Sequence, residues 1–248
     1  MSQKDNIENF NKYLRCIEGE LRILEYQVPI ETQMEYFFYS NSLRGLLPDD
    51  AMMDLEQFAT VLLNSASSLE NKKKILSALG VSREVKAYRI LQEYVQEPDI
   101  ELKDWAHMAL MECRVMLESE LSDERQIYIS TGLGGKENKL RFYILLLSSS
   151  GNHFLDYQQQ VIEKEFTYAL HKDEGEIEEL TIKKNITELM VLLPIQTNIK
   201  RFIENVVSEC NQYGNFISNT VTVTNVKRLA ENEIAQIIKK HESTKTGF

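Results

Sequence analysis

Thr131 to Lys139, TGLGGKENK, is the loop whose composition best suits a ligand. Gly132, Gly134 and Gly135 permit positive φ and leave backbone N–H groups open, which is how a small anion-holding nest is made, and Lys136 and Lys139 stand beside it. A phosphate-binding loop proper needs a glycine at 130 and a Ser or Thr after the lysine. Ser130 and Glu137 occupy those positions, so that pattern fails. A tight connection between two strands accounts for the same glycines without any ligand.

The other chemistry-bearing residues are scattered. His107, His153, His171 and His241 have no metal-ligand spacing with one another or with Cys16, Cys113 and Cys210, which form no C-x-x-C pair. The cysteines read as reduced and structural, and Cys113 falls on the apolar stripe of a helix, where a thiol acts as a small hydrophobe. Asp173-Glu174-Gly175-Glu176 and Glu178-Glu179 lack the loop geometry of a calcium site and read as a solvated turn and edge. No G-x-S-x-G elbow is present, no nucleophile or base can be nominated, and no cofactor or metal is implied.

A net charge of −10 and a pI near 5.1 set the whole-chain field against phosphate backbones and anionic lipid. Met1 to Phe10 shows no basic segment followed by an apolar one, and no window nears the length of apolar sequence that spans a bilayer. The expectation is a cytoplasmic protein with no nucleic-acid partner and no membrane association. Asn185-Ile186-Thr187 matches a glycosylation sequon, which means nothing without export.

The elements that position these residues divide into two kinds. From residue 4 to 119 the apolar spacing is helical. The first helix carries Ile7, Phe10, Leu14, Ile17, Leu21 and Leu24 on one face and ends at Pro29. A second carries Met34, Phe37, Phe38 and Leu43 as far as Pro48, and a third starts at Asp49-Asp50 with Leu55, Phe58, Ala59 and Leu62 buried. Ser67 and Glu70 form a capping-box pattern for a fourth, which Gly80 closes as a left-handed cap. Ser82 opens a fifth and Pro98-Asp99 a sixth, so six helices make three pairs. The last pair, SREVKAYRILQEYVQ and DIELKDWAHMALMECRVML, resembles a HEAT or armadillo-type repeat at Asp99, Leu102-Lys103, Ala106 and Ala109-Leu110. An irregular bundle with small residues at its crossings fits the same positions.

Around Leu121 to Arg125 the periodicity changes. QIYIST, 126–131, reads as a leading strand. Strand 139–148, helix 153–171, strand 176–184, strand 187–194, helix 197–212, strand 217–224 and helix 228–240 then follow. That order resembles the ferredoxin-like βαββαβ fold, whose first and third strands are central. RFYILLL and LMVLL are accordingly continuous apolar runs, whereas IEELTIKK and TVTVT alternate like edges. The expected class is α+β, with a helical, HEAT-like domain over 1–122 and a ferredoxin-like domain over 126–242.

Helices on one face of such a sheet leave the other to be covered. With Leu140, Phe142, Ile144 and Leu146 on the first face, Tyr143, Leu145, Leu147, Met190 and Leu192 form the second and are the candidate interface residues. Their cover is the helical half, the leading strand, the terminal helix or a second copy of the chain. An RNA-recognition reading of the sheet lacks an aromatic on the second central strand and the RNP1 pattern. These observations lead to the expectation of a non-enzymatic protein-interaction or scaffold module, with a protein partner or self-association. The alternative is a regulatory protein sensing an anion or metabolite at the GLGG turn, as in ferredoxin-like regulatory modules.

Overall fold

The computed structural model describes residues 21–44, 54–122 and 127–246, and the fold is α+β. The expected first helix up to Ile17, the Asp49-Asp50 helix start and Cys16 lie outside those residues. Chain contacts divide the molecule into one unit of Glu18–Gly132 and another built on Leu133–Phe248.

The first unit starts and ends with a strand. β1 (Leu21–Ile23) and β2 (Ile127–Ile129) pair in parallel, Leu21 opposite Ile127 and Ile23 opposite Ile129. This corrects the helix expected through Leu21 and Leu24: pairing with a segment about a hundred residues away overrides a local three-residue spacing. Gln33 fastens the pair. Its Nε2 donates to the carbonyls of Val28 (2.8 Å) and Thr131 (3.1 Å), and Ser130 Oγ donates to its Oε1.

Between the strands lie α1 (Ile30–Arg44), α2 (Leu55–Leu63), α3 (Leu69–Val81), α4 (Val85–Tyr94), a 3-10 turn (Ile100–Leu102) and α5 (Lys103–Ser122). Leu76, Leu79, Leu91, Leu102, Trp105 and Met108 form the centre of their shared core. Ser68, one residue after the expected cap, accepts from Asn71 N and starts α3. Gly80 does not end that helix. It sits where α3 crosses α5, and a Cβ there would lie 3.2 Å from Ala109 Cα and closer still to Tyr36 Oη. The glycine is spent on close approach, and Ser82 is the C-cap.

The second unit carries β3 (Gly135–Lys136), β4 (Lys139–Leu147), α6 (Asp156–Lys172), β5 (Glu176–Lys183), β6 (Ile186–Pro194), α7 (Ile199–Asn211), β7 (Thr222–Thr224) and α8 (Glu231–Thr246). β6 lies between β4 and β5, and β7 and β3 both pair with the other side of β4, all antiparallel. The two central strands are the continuously apolar ones. Ile144, Leu146, Leu189, Val191 and Leu193 face α6 and α7 and pack with Ile162, Phe166, Phe202 and Val206. On the opposite face Tyr143, Leu145, Leu147 and Met190 pack with Leu133 and Ile234, with Leu229, Ile237 and Ile238 partly buried around them. The terminal helix α8 is therefore what seals the second face. Each large apolar side chain so covered contributes about 1.5–3 kcal/mol.

Candidate functional site

The loop residues are accounted for by a hairpin. Gly134 adopts φ 64° and its carbonyl accepts from Arg141 N (3.1 Å), while Leu133 N donates to Asn225 O (3.0 Å). Gly135 and Lys136 are β3, with Lys136 opposite Lys139 across a turn in which Glu137 takes φ 55°. Gly132, Gly134 and Gly135 are buried, and Lys136 Nζ lies 3.8 Å from Glu176. These backbone groups hold a sheet edge instead of forming an open nest.

The five candidate interface residues are all buried: Tyr143, Leu145, Leu147 and Met190 beneath α8, and Leu192 in the sheet. Tyr143 is satisfied there, its hydroxyl donating to Glu188 Oε2 at 2.8 Å, with Lys183 Nζ 3.3 Å from the other oxygen. Burial, and then that carboxylate, push its phenol well above the usual range, so it stays protonated.

One nucleophile–base contact emerges that spacing does not reveal. Ser218 Oγ lies 2.7 Å from His241 Nε2 and also accepts from Thr220 N at 3.1 Å. Ser218 is buried and neither cleft described below includes it, so the contact pins α8 to the sheet instead of facing a substrate. Among the described residues no group of three or more His, Cys, Asp or Glu is placed to hold a metal ion.

The site with room for a ligand lies where α6 ends and α7 begins. An open cleft of about 540 Å³ is lined by Lys172, Asp173 and Glu174 at the end of α6, and by Gln196, Thr197, Asn198, Arg201 and Asn205 at the start of α7. Local chemistry shapes both walls. Gly175 N donates to Leu170 O (2.7 Å) and turns the chain off α6; a Cβ at 175 would lie 2.8 Å from Leu192 O. Thr197 N donates to Pro194 O (2.9 Å), and Asn198 caps α7 by accepting from Arg201 N at 3.1 Å. The first turn of α7 contains no acid, so nothing on the helix offsets the positive end of its dipole. Lys172 and Arg201 are exposed and have no carboxylate partner among the described residues.

Lys172 is also the last member of a stripe on α6. Ile162, Phe166 and Leu170 turn inward, which leaves Tyr157, Lys164, Tyr168 and Lys172 exposed at spacings of seven, four and four, on one face about 80° wide. The stripe runs ~22 Å at ~1.5 Å per residue. Tyr157 and Tyr168 are 49% and 69% exposed, unusual for aromatic rings on a packed helix. Glu165 is turned instead toward Cys210, whose thiol burial and then that carboxylate push up to about 12. The spacing of 157, 164, 168 and 172 was available in the sequence. The link from Lys172 to Arg201 was not, because it forms between two helices 26 residues apart across the β5–β6 hairpin.

No protein-family model matches the chain, and no curated protein does. Among solved structures, a Deinococcus radiodurans protein described as a transposase matches with a TM-score of 0.35 and 14% identity, over 44% of this chain and 93% of its own. A REP-associated tyrosine transposase bound to a REP hairpin matches with a TM-score of 0.32 and 10% identity, over 46% of this chain and 71% of its own. The expectations of a non-enzymatic interaction or scaffold module, or a sensor at the GLGG turn, with no nucleic-acid partner, run against these neighbours and are withdrawn. The likeness itself, at such TM-scores, assigns this chain neither an activity nor a substrate.

Proposed function

We propose that the sheet-bearing unit binds single-stranded nucleic acid, with phosphates at the Lys172–Arg201 cleft and bases against the tyrosines of α6. The observation that carries this reading is the exposed Tyr157–Lys164–Tyr168–Lys172 stripe running into a cleft with a second cation, Arg201, unpaired among the described residues. Aromatic faces stack bases without regard to sequence, and interleaved lysines track the backbone. An open cleft suits a polymer lying across it better than a small ligand that must be enclosed.

Whole-chain charge argues less strongly against this than the bare sum implies. Residues 133–248 contain half of the lysines and arginines but well under half of the aspartates and glutamates, so this unit is near neutral. Asp173 and Glu174 on the cleft wall limit affinity, and the salt dependence should be the modest one set by the few phosphates that Lys172, Arg201 and Lys164 neutralise. Lys172, Arg201 and the α6 tyrosines support the reading; the likeness to transposases adds no residue to it. A cytoplasmic location belongs to the same proposal, supported by free thiols at Cys113 and Cys210. Among the described residues no helix is long and apolar enough to cross a membrane.

Fluorescence anisotropy with labelled single-stranded and hairpin oligonucleotides, over a salt series, tests the reading. Lys172→Glu with Arg201→Glu should weaken binding about ten-fold or more and flatten the salt slope by about one to two ions. Tyr168→Ala should weaken binding about ten-fold with the slope unchanged, and Tyr168→Phe should restore it. No binding at low salt, or affinities indifferent to the double charge reversal, would overturn the proposal.

A further inference from the structure

The helical unit has a cleft of its own, chemically unlike the first. It measures about 390 Å³ and lies over Trp105 of α5, which is 2% exposed and covered by Lys73, with Tyr39 of α1 beside it. Trp105 Nε1 donates to Ser77 Oγ at 2.9 Å, which fixes the ring, and Tyr39 meets it edge-on at 6.0 Å between centroids. Across the ring face lies a cation supplied by the chain itself: Lys73 Nζ is 4.3 Å from the Trp105 centroid and 3.0 Å from Glu35 Oε1. Leu69 supplies exposed apolar surface to the same cleft, Glu70 lines it too but is held by Lys74 (2.9 Å), and Glu101 is an exposed carboxylate with no partner among the described residues.

We infer that this cleft binds a linear diamine or polyamine, one ammonium replacing Lys73 over Trp105 and another reaching Glu101. Lys73 shows what the site accepts, since its side chain is a primary ammonium on a four-carbon stem. Aromatic faces attract such a cation most when it is partly desolvated. The exposed apolar surface of Leu69 suits the methylenes between two charges, and Glu101, the cleft carboxylate held by neither Lys73 nor Lys74, calls for a second ammonium. A metal ion fits less well, because an aromatic floor gives it no ligand atoms. This inference concerns Glu18–Gly132 alone and does not depend on nucleic-acid binding by the other unit.

Trp105 is the one tryptophan of the chain, so its emission reports on the cleft directly. The intact 248-residue chain is titrated with 1,4-diaminobutane and with spermidine at fixed ionic strength, and sodium, magnesium and tetramethylammonium chlorides serve as comparisons. A saturable change with the amines is expected. Lys73→Met should tighten binding about three-fold or more, because the resident competitor is gone. Glu101→Gln should weaken it about ten-fold, the cost of one charge-assisted hydrogen bond. A Lys73–Trp105 contact with only a structural role gives no tightening in Lys73→Met, and that outcome would sink the inference. So would an equal response to sodium or magnesium, stronger binding of tetramethylammonium, or no saturable change with millimolar amine in either protein.

Discussion

At the scale of single residues, the groups that matter most are those whose neighbours are already committed. Gly80 faces Tyr36, whose hydroxyl donates to the buried Glu112 at 2.5 Å, so the phenol cannot move aside for a methyl group. Gly80→Ala gains about 1 kcal/mol in helix propensity. It meets an overpacking cost of about 1–3 kcal/mol at the α3–α5 crossing. Net destabilisation is expected, read as a lower urea midpoint with unchanged slope. His107 gives a pH signature. It stacks on Tyr26 with centroids 3.7 Å apart, and burial, then the Lys103 ammonium, hold it below the ordinary imidazole range. The unfolded chain therefore takes up that proton first as pH falls. The contribution is whole above about pH 6.5 and disappears as pH drops through the folded value. Urea midpoints measured from about pH 7.5 down to about 5.5 should fall more steeply in the wild type than in His107→Phe, which keeps the stack and cannot titrate.

At the scale of elements, α8 is the piece on which the sheet depends. Ile234 is buried against Tyr143, Leu145, Leu147 and Met190, and Ser218 with His241 ties the helix further along. Ile234→Asp would place an unpaired carboxylate in that layer and cost about 3 kcal/mol or more. Increased binding of an apolar dye, with the strand signal in circular dichroism retained, is the expected result; an unchanged melting temperature would show that α8 is not the cover. The need for such a cover was legible in the sequence, because RFYILLL and LMVLL do not alternate as one-sided strands would. Which segment supplied it was not, since Ile234, Ile237 and Ile238 are the only large apolar residues in the otherwise mostly polar α8. Ser67 and Ser68 show a similar boundary: two adjacent serines both suit an N-cap, and only the geometry of Asn71 N selects the second.

At the scale of the whole molecule, the main helices and the central strands could be read from periodicity, while β1, the short β3 and the long-range partners could not. β2 was visible as a strand, yet its pairing with β1 joins residues 106 positions apart, and nothing in either tripeptide names the other. The cleft at Lys172 and Arg201 is hidden for the same reason, as is Lys73 over Trp105. Charge summed over the chain has a related blind spot: the sign of a total does not give the field at a surface. The parallel pair at the two ends of the helical unit has a mechanical meaning. Leu21 and the residues after Ile129 leave it from opposite ends, so tension along the chain loads its hydrogen bonds lengthwise, all at once. A clasp stressed that way resists opening until its bonds give together, and the helices between β1 and β2 are shielded from the pull until it does.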